Sequence, residues 1–594
     1  MADQHDKPQS GFEPLEFGRQ WAEMALKTQK AMAAMAQSAG KAPDQTPIVM
    51  SRDAYGTFAR MMGNLMLDPV SLGKSQMDLW QRHVDLWQDL LTPKDKDAAA
   101  APAPKSRDRR FRNEEWESNI ALNALMRSYL IGSDWLRTLI KDSSLDTGTK
   151  RKAAFFTEQV IDAAAPTNFP LTNPDVVKKA IETGGMSLVQ GYSNLLDDLL
   201  AGSGHIRRAD GEAFELGVNI AATKGSVVLR TDMMELIQYE PTTEKVKSIP
   251  LLLVSPWVNK YYLFDLQQKS SFIKWAVDEG FTVFAISWVN PDASHADKDF
   301  ENYWMEGPMA AFEAIRKATG QDKVNMFGYC LGGTLTASGL AYLAAKGDKT
   351  VNSATMCATM TDFADFGDFE VFVTDESVAL MRSQLKDKGY LDEADLSRLF
   401  SLLRANDLIW SSAISSYLLA EKPVASDLLY WFSDGIGMPA KMLDTFMRDI
   451  ILNNALGNAG SMKIDGQPVD IKKIRTPLCF VSLKDDHVAN WKATYRGALR
   501  FEAPKRFILG GSGHNAGTIN PPAAKKHGYW TNDKFPPEAD EWLAAATRHE
   551  GSWWTEWANW LKAQDKNDVP ARKLADGPLK VLEAAPGSYA KTRR

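Results

Sequence analysis

Residues 328–333 read Gly-Tyr-Cys-Leu-Gly-Gly and are the stretch best suited to covalent chemistry. They lie between an apolar run, Val324 to Phe327, and a small-residue segment, Thr334 to Ala345, whose composition predicts a helix. A nucleophile on a sharp strand-to-helix turn is a nucleophile elbow, and its glycines let the turn close without Cβ clashes. The nucleophile here is Cys330, and a thiol just before a helix N-terminus ionises more readily than a free thiol. The pattern indicates acyl transfer through a thioester.

An elbow nucleophile needs a base, and the base needs a third group to orient it. In the α/β-hydrolase order, an acid and then a histidine follow the nucleophile, each in a loop after the carboxyl end of a strand. The apolar run Leu478 to Leu483 is followed by Asp485, Asp486 and His487. Asp486 is the candidate acid and Asp485 its competitor, because spacing does not separate two adjacent aspartates.

The candidate base follows the next apolar run. Phe507 to Leu509 precedes a glycine-rich loop that contains His514. The proposed triad is therefore Cys330, Asp486 and His514. The acidic pair could instead bind a metal or form a turn, but no His-Glu-x-x-His motif or matching carboxylate cluster supports a metal.

A tetrahedral intermediate needs preorganised N–H donors for its oxyanion. One donor is expected to be the backbone N–H of Leu331, directly after the nucleophile, and the other should come from the loop after an early strand. That loop is residues 255–259, where Val258 is the candidate. The other cysteines, Cys357 and Cys479, lie within apolar runs and are interpreted as small buried core residues.

The elements that must position these side chains are visible from residue 206 onward. Short apolar runs alternate with helical segments, which is typical of a mostly parallel α/β sheet. We predict an α/β-hydrolase fold at 206–594, with a cap insertion at about 361–474 where the alternation breaks. A mainly helical N-terminal domain precedes it, in two parts, 1–93 and 107–205, joined by a low-complexity linker at 94–106.

An apolar stripe recurs at helical spacing in the N-terminal region, where Met77, Trp80, Val84, Trp87 and Leu91 share one face. The plain interpretation is a packing face inside a helical domain. The alternative is a surface that docks on a partner helix or an apolar particle, because Met and Trp suit adaptable binding surfaces.

Bulk composition narrows the class of protein. The chain has 594 residues and a formal net charge of -6, so nothing suggests nucleic-acid binding. Three cysteines form no disulfide framework and no metal-ligand spacing, which favours a reducing compartment. The first residues are polar, and no apolar run is long enough to cross a membrane. We expect a cytoplasmic protein without a secretory signal or transmembrane segment.

With these residues placed, the chain resembles the polyhydroxyalkanoate (PHA) synthases of class I. The resemblance covers roughly four-fifths of the length and rests on motifs at 109–111, 166–170, 213–217, 259–265, 287–292, 404–410, 512–522 and 551–554. The family triad is Cys, Asp and His, and by motif it falls on Cys330, Asp486 and His514. The Asp-His pair of the family selects Asp486 over Asp485, and His487 is expected near the site without acting as the base.

Three motifs depart from the family pattern. Ser255-Pro256 stands where Pro-Pro is usual, Ala489-Asn490 breaks the usual Ile-Val-Pro-Trp that follows the Asp-His pair, and Ala405 replaces a proline. None of these changes touches the proposed triad. They put loop rigidity and fine substrate preference in doubt.

The resemblance implies (R)-3-hydroxyacyl-CoA as the substrate, with a short side chain, and no cofactor. It also implies an active homodimer at the surface of a polyester granule, with phasin-type granule proteins as further partners. Trp21, Trp80 and Trp87 are expected to help bind the polymer or another granule protein. The competing classes are a dienelactone hydrolase-like cysteine hydrolase, which shares the elbow, and a non-catalytic granule-binding protein.

Overall fold

The structure is a computed structural model that describes residues 26–30, 63, 68–92, 108–200, 206, 208–402, 405–574 and 577–593. It divides into two compact units. The first comprises Met1–Arg208 with Arg398–Val424, and the second comprises Ala209–Ser397 with Ala425–Arg594. The expected linker at 94–106 and Trp21 lie outside the described residues. No helix in the described ranges is long and apolar enough to cross a membrane.

The first unit is helical. Several of its helices are preceded by a residue whose side chain caps the first turn. These N-cap residues each accept a hydrogen bond from a backbone N–H of that turn, and they are Asp68, Asn119, Asp146 and Asn173. Its helices include α1 Pro69–Leu91, α2 Glu115–Ser118, α3 Ile120–Asp142, α4 Thr147–Ala163, α5 Pro174–Glu182 and α6 Met186–Leu200, and it also contains the helical turns Asn406–Trp410, Ser411–Ala413 and Ile414–Leu418.

Helix α1 packs on α3 through a leucine face. Leu86 is buried, and the Trp135 indole Nε1 donates to the Ser75 carbonyl at 3.0 Å. The apolar stripe lies on the other side of the helix. Its exposed fractions are 73% for Met77, 68% for Trp80, 49% for Trp87 and 76% for Leu91. Within the described part of the chain these four side chains therefore do not pack in a core, contrary to the packing-face interpretation.

The second unit is built on an eleven-stranded mixed sheet of order β15-β14-β13-β12-β7-β6-β4-β5-β2-β1-β17. The strands are β1 Gly225–Arg230, β2 Met234–Tyr239, β3 Lys245–Lys247, β4 Leu251–Val254, β5 Val283–Trp288, β6 Val324–Tyr329, β7 Val351–Cys357, β8 Tyr390–Leu391, β9 Met438–Pro439, β10 Lys463–Ile464, β11 Gln467–Pro468, β12 Leu478–Leu483, β13 Lys505–Gly510, β14 Tyr529–Thr531, β15 Thr547–His549, β16 Asp568–Pro570 and β17 Glu583–Ala584.

The centre of this sheet is parallel, from β13 through β12, β7, β6 and β4 to β5, and the outer strands pair antiparallel. Every position of β4, β5, β6 and β12 is buried, as expected for strands covered on both faces. Parallel strands bring their carboxyl ends to one edge of the sheet. The residues that follow Tyr329, Leu483 and Gly510 therefore meet there.

Helices cover the sheet and form the insertion between β7 and β12. They are α7 Phe272–Asp278, α8 Phe300–Trp304, α9 Ala310–Thr319, α10 Leu331–Lys346, α11 Asp375–Leu385, α12 Glu393–Leu402, α13 Asp427–Phe432, α14 Ala440–Thr445, α15 Trp491–Leu499, α16 His514–Thr518, α17 Ala539–Ala544, α18 Trp553–Ala563 and α19 Gly587–Lys591.

The expected cap at 361–474 does not group as one piece, because residues 398–424 belong to the first unit. Their helical turns contact α6 closely. A Cβ on Gly191 would lie 2.0 Å from the Tyr417 carbonyl oxygen, so only glycine permits this approach. The Tyr417 hydroxyl also donates to Asp198 at 2.8 Å, and Asn194 donates to the Ser416 carbonyl at 3.0 Å.

Candidate active site

Cys330 lies on the sharp turn between β6 and α10 and adopts φ 51° and ψ -123°, a conformation that L residues rarely hold. The surrounding glycines have no room for a side chain. A Cβ on Gly328 would lie 2.6 Å from the Gly333 Cα, and one on Gly332 would lie 2.2 Å from the Val254 carbonyl oxygen. The elbow predicted from the glycine spacing is therefore present.

Backbone bonds hold this strained turn. The Cys330 N–H donates to the Cys357 carbonyl on β7 at 2.9 Å, and the Cys330 carbonyl accepts from Gly333 at 3.0 Å. Helix α10 begins directly after the cysteine, so its positive N-terminal dipole end faces the thiol. Cys330 is partly exposed, whereas Cys357 and Cys479 are buried and burial raises the pKa of both thiols.

His514 and Asp486 form a buried pair. The His514 Nδ1 lies 2.7 Å from Asp486 Oδ2, and the two side chains are 8% and 0% exposed. The other oxygen, Asp486 Oδ1, accepts from the backbone N–H groups of Val488 and Ala489 at 2.8 Å each. Asp485 is exposed. Of the two adjacent aspartates, the structure brings Asp486 to the imidazole.

The electrostatics of this pair favour a charged imidazole. Burial disfavours the imidazolium, but the negative charge of Asp486, the neighbouring Cys330 and the hydrogen bond between Asp486 and the imidazole outweigh this penalty and raise the pKa of His514 to about 10. The arrangement can stabilise a thiolate beside an imidazolium and can move a proton between sulfur and nitrogen.

Aromatic residues hold the short helix α16 that begins at His514. The Trp553 and Trp554 indoles donate to the carbonyls of Gly517 and Thr518 at 2.8 and 2.9 Å. The Thr518 hydroxyl donates to the His514 carbonyl at 2.6 Å. The residue pattern did not predict this role for Trp553 and Trp554. The Trp-Trp pair at 553–554 was a visible signal, but its target lies 36 residues away in the chain.

Tyr329 packs against the imidazole of His514. Its ring centroid lies 5.2 Å from that of His514, and its hydroxyl donates to Asn515 Oδ1 at 2.7 Å. Tyr329 directly precedes the nucleophile at the end of β6 and Asn515 directly follows the base in α16, so this hydrogen bond joins the segments that carry Cys330 and His514. Sequence reasoning missed this contact because neither residue type marks it.

The two candidate oxyanion donors are Leu331 and Val258. Leu331 is the first residue of α10, and Val258 is buried in the loop after β4. Within the described part of the chain, neither backbone N–H donates to a protein acceptor. Two free N–H groups at the edge where Cys330 lies are what an oxyanion site requires. His487 is exposed next to Asp486.

Residues 257–262, which we call the oxyanion loop, are held from two directions. The Val258 carbonyl accepts from Ile436 at 3.1 Å, and the Lys260 carbonyl accepts from the Trp431 indole at 2.7 Å. The buried Lys260 ammonium donates to the carbonyls of Tyr589 and Thr592 at 3.0 and 2.6 Å. The C-terminal segment is thus tied to the loop that carries Val258.

Comparison with known families agrees with this geometry. A family model of the N-terminus of poly-beta-hydroxybutyrate polymerase (PhaC) matches residues 107–276. A model of the alpha/beta hydrolase fold matches residues 257–521, which include Cys330, Asp486 and His514. The α/β-hydrolase fold expected from the sequence is confirmed.

Several curated relatives match almost the whole chain. A poly(3-hydroxyalkanoate) polymerase subunit PhaC of Rhizobium meliloti is 40% identical, with 91% of this chain and 89% of the relative covered. A poly(3-hydroxyalkanoate) polymerase of Methylorubrum extorquens is 39% identical, with 90% and 89% covered. The PhaC subunit of Cupriavidus necator is 38% identical, with 90% of each chain covered. This chain belongs to the poly(3-hydroxyalkanoate) polymerase family.

Proposed function

We propose that this chain polymerises (R)-3-hydroxyacyl groups from CoA thioesters into a polyester, with release of CoA, through an acyl-enzyme on Cys330. The observation that carries the proposal is the buried His514–Asp486 pair, joined at 2.7 Å, beside an elbow cysteine. Membership of the polymerase family supports a hydroxyl group, and not water, as the acceptor of the acyl group.

Acylation uses the thiol and the imidazole. The Cys330 thiolate attacks the thioester carbonyl and a new C–S bond forms. As the tetrahedral intermediate collapses, the bond to the CoA sulfur breaks, and His514 gives its proton to the departing thiolate. The backbone N–H groups of Leu331 and Val258 would hold the oxyanion.

Elongation reverses the direction of proton transfer. His514 takes the proton from the 3-hydroxyl of a monomer or chain end, and the resulting alkoxide attacks the acyl carbonyl and releases the Cys330 sulfur. Asp486 keeps the imidazole in the required tautomer and stabilises its charged form. We infer that the insertion between β7 and β12 limits the entry of water, which would otherwise hydrolyse the acyl-enzyme. The reaction as written needs no cofactor.

Replacement of the thiol tests this function. Cys330→Ala should abolish both CoA release and polymer formation from (R)-3-hydroxybutyryl-CoA, while Cys479→Ala, which removes a buried thiol in β12, should retain them. Mass spectrometry of the quenched wild-type enzyme should find an acyl adduct on Cys330. Polymer formation by Cys330→Ala would refute the assignment, and free 3-hydroxybutyrate as the main wild-type product would identify a hydrolase.

We further propose that the substrate is short, of three to five carbons, by analogy with class I enzymes. Product analysis with C4 and C6–C10 hydroxyacyl-CoA thioesters tests this. Preferential incorporation of the C4 monomer supports the proposal, and preferential incorporation of C6–C10 monomers contradicts it.

The exposed stripe Met77, Trp80, Trp87 and Leu91 supports a further proposal, that the first unit attaches a cytoplasmic homodimer to the polyester granule or to phasin-type proteins. Trp80→Gln with Trp87→Gln should reduce sedimentation with granules while leaving soluble turnover in place. Loss of soluble activity in the same variant would instead indicate a structural role.

A further inference from the structure

A group of exposed basic side chains lies at the sheet edge that carries the proposed triad. We call it the basic patch, and its members are Lys484, Lys525, Lys526, His527 and Arg548. None of them takes part in the mechanism described above. The proposed substrate carries several negatively charged phosphate groups, which a basic surface at the same sheet edge as the nucleophile would attract.

Backbone hydrogen bonds fasten this patch to the loop that leads to His514. The Gly511 N–H donates to the Gly528 carbonyl at 3.0 Å, and the Lys484 N–H donates to the Gly510 carbonyl at 2.8 Å. A Cβ on Gly511 would lie 2.4 Å from the His527 carbonyl oxygen, so the turn at 525–528 presses directly on this loop. The patch is therefore continuous with the catalytic edge.

Trp530 joins the two halves of the patch. The Lys484 ammonium lies 4.7 Å from the centroid of the indole, and the Arg548 guanidinium carbon lies 5.9 Å from it. Arg548 also reaches the turn, because its Nη2 is 3.5 Å from the position that a Cβ on Gly528 would take. Lys484 and Arg548 thus both lie against one aromatic side chain at the edge of the sheet.

Neighbouring carboxylates neutralise only part of the basic patch. Arg548 pairs with Glu550 at 2.7 Å, and Asp485 is exposed beside the patch. Among the residues that the structure describes, no carboxylate lies at ion-pair distance from Lys525 or Lys526. The whole chain has a net charge of -6, so Lys525 and Lys526 form a local positive charge on a protein that is negative overall.

We propose that the basic patch binds the phosphorylated nucleotide end of the CoA thioester, an inference that rests on the proposed function. A phosphate monoester carries about -1.5 to -2 charges at neutral pH, and ammonium and guanidinium groups are its usual partners. On an acidic protein, a local basic surface also raises the concentration of an anionic substrate at the entrance.

The distances suit this assignment. Cys330 directly follows β6, and the turn at 525–528 directly precedes β14. In the sheet order β14-β13-β12-β7-β6, these two strands are four strand spacings apart, which at about 4.8 Å each is roughly 19 Å. The pantetheine–diphosphate arm of CoA has the backbone length of about five to six residues, which spans roughly 15–20 Å when extended. A thioester at Cys330 can therefore place its phosphates at the turn.

The test compares two thioesters that differ only in the nucleotide. Lys525→Glu with Lys526→Glu should raise KM for (R)-3-hydroxybutyryl-CoA roughly 10-fold. The double variant loses two solvent-exposed lysine–phosphate ion pairs, and each new glutamate repels the phosphate groups. The same variant should leave KM for (R)-3-hydroxybutyryl-pantetheine and both kcat values within about 2-fold. Added salt should raise the wild-type KM for the CoA thioester and so reduce the difference in this KM between wild type and the Lys525/Lys526 variant.

Lys472→Glu with Lys473→Glu is the matched control. These exposed adjacent lysines precede the amino end of β12, at the opposite edge of the sheet, and the substitution changes the net charge equally. KM for the CoA thioester should not change in this variant. An equal rise in both double variants, or an equal rise for both thioesters in the Lys525/Lys526 variant, would overturn the proposal.

Calorimetry with free CoA separates this inference from the proposed function. Wild-type protein should bind CoA roughly 10-fold more tightly than the Lys525/Lys526 variant and should bind dephospho-CoA more weakly than CoA. Equal affinities would refute the site even if the enzyme makes polymer. A difference in affinity would support the site even if the wild-type enzyme turned over neither thioester.

Discussion

At the residue scale, two adjacent aspartates differ completely in environment. The Asp486 carboxylate is fully buried, accepts two backbone N–H groups and contacts the imidazole, whereas Asp485 is exposed. Motif matching preferred Asp486, but the spacing of residues did not. The physical reason is local, because the turn after β12 points the second carboxylate inward and leaves the first in solvent.

Replacement of each aspartate should separate their roles. Asp486→Asn should lower sustained CoA release by roughly 10²–10⁴-fold, because an amide does not hold the imidazole in the required tautomer or stabilise its charge. Asp485→Asn, of identical chemistry and exposed, should remain within about 2-fold of wild type. Steady-state assays of CoA release measure both. Equal losses in the two variants would contradict the assignment.

The same substitution carries a pH signature. The pKa of His514 is raised to about 10, so the interaction of its imidazolium with the Asp486 carboxylate stabilises the folded protein fully below the unfolded histidine pKa of about 6.5. This stabilisation is lost as the pH rises through about 10. In Asp486→Asn the pKa should fall, and the dependence of the unfolding free energy on pH between 7 and 10 should flatten. Imidazole NMR titration and urea unfolding at several pH values measure the two effects.

At the scale of elements, the central strands were largely predictable. The run Leu478 to Leu483 coincides with β12, and Phe507 to Leu509 lies inside β13, because strands buried on both faces must be continuously apolar. The outer strands were not predicted. β15 reads Thr-Arg-His and is a strand only because it pairs with β14, a contact that local sequence does not encode.

The catalytic helix α16 was also beyond prediction from sequence. It is five residues long, and the Trp553 and Trp554 indoles that bond its carbonyls come from α18. Glycine spacing and chain order predicted the roles of Cys330 and His514. The position of α16, however, is held by side-chain hydrogen bonds from residues distant in sequence. Support of this kind becomes visible only when the fold is known.

Trp554→Phe should weaken this support. The change keeps an aromatic ring but removes the N–H that bonds the Thr518 carbonyl, leaving a buried acceptor unpaired at a cost of about 1–3 kcal/mol in unfolding free energy. Turnover should fall as well, because α16 begins at the base. Trp542→Phe is the matched control, since the buried Trp542 indole N–H has no hydrogen-bond partner among the residues that the structure describes. A greater loss of stability in the control would contradict the role of Trp554.

At the scale of the whole molecule, the second unit closes on its own C-terminal segment. β17 adds an edge strand to β1, and the carbonyls that follow it accept from Lys260. Asp434 reinforces the arrangement by accepting from the Tyr262 hydroxyl at 2.6 Å. The geometry of the Val258 N–H therefore depends on residues more than 300 positions away in sequence.

Deletion of residues 587–593 should lower kcat up to about 100-fold with little change in KM, because an oxyanion donor acts chiefly in the transition state. Lys260→Met should reproduce the loss of kcat. Lys591→Ala, an exposed position in the same segment, should have no effect. Unchanged kcat in the truncated protein, with its fold intact by circular dichroism, would contradict the coupling.

The tie between Lys260 and the C-terminal segment has a consequence for synthesis of the chain. Domains emerge from the ribosome with the N-terminal part first. Cys330, Asp486 and His514 all precede residues 583–593 in the chain, so the oxyanion loop lacks the contacts of Lys260 with Tyr589 and Thr592 until this segment has left the exit tunnel. A nascent chain is therefore expected to remain a poor catalyst until the segment has emerged and docked.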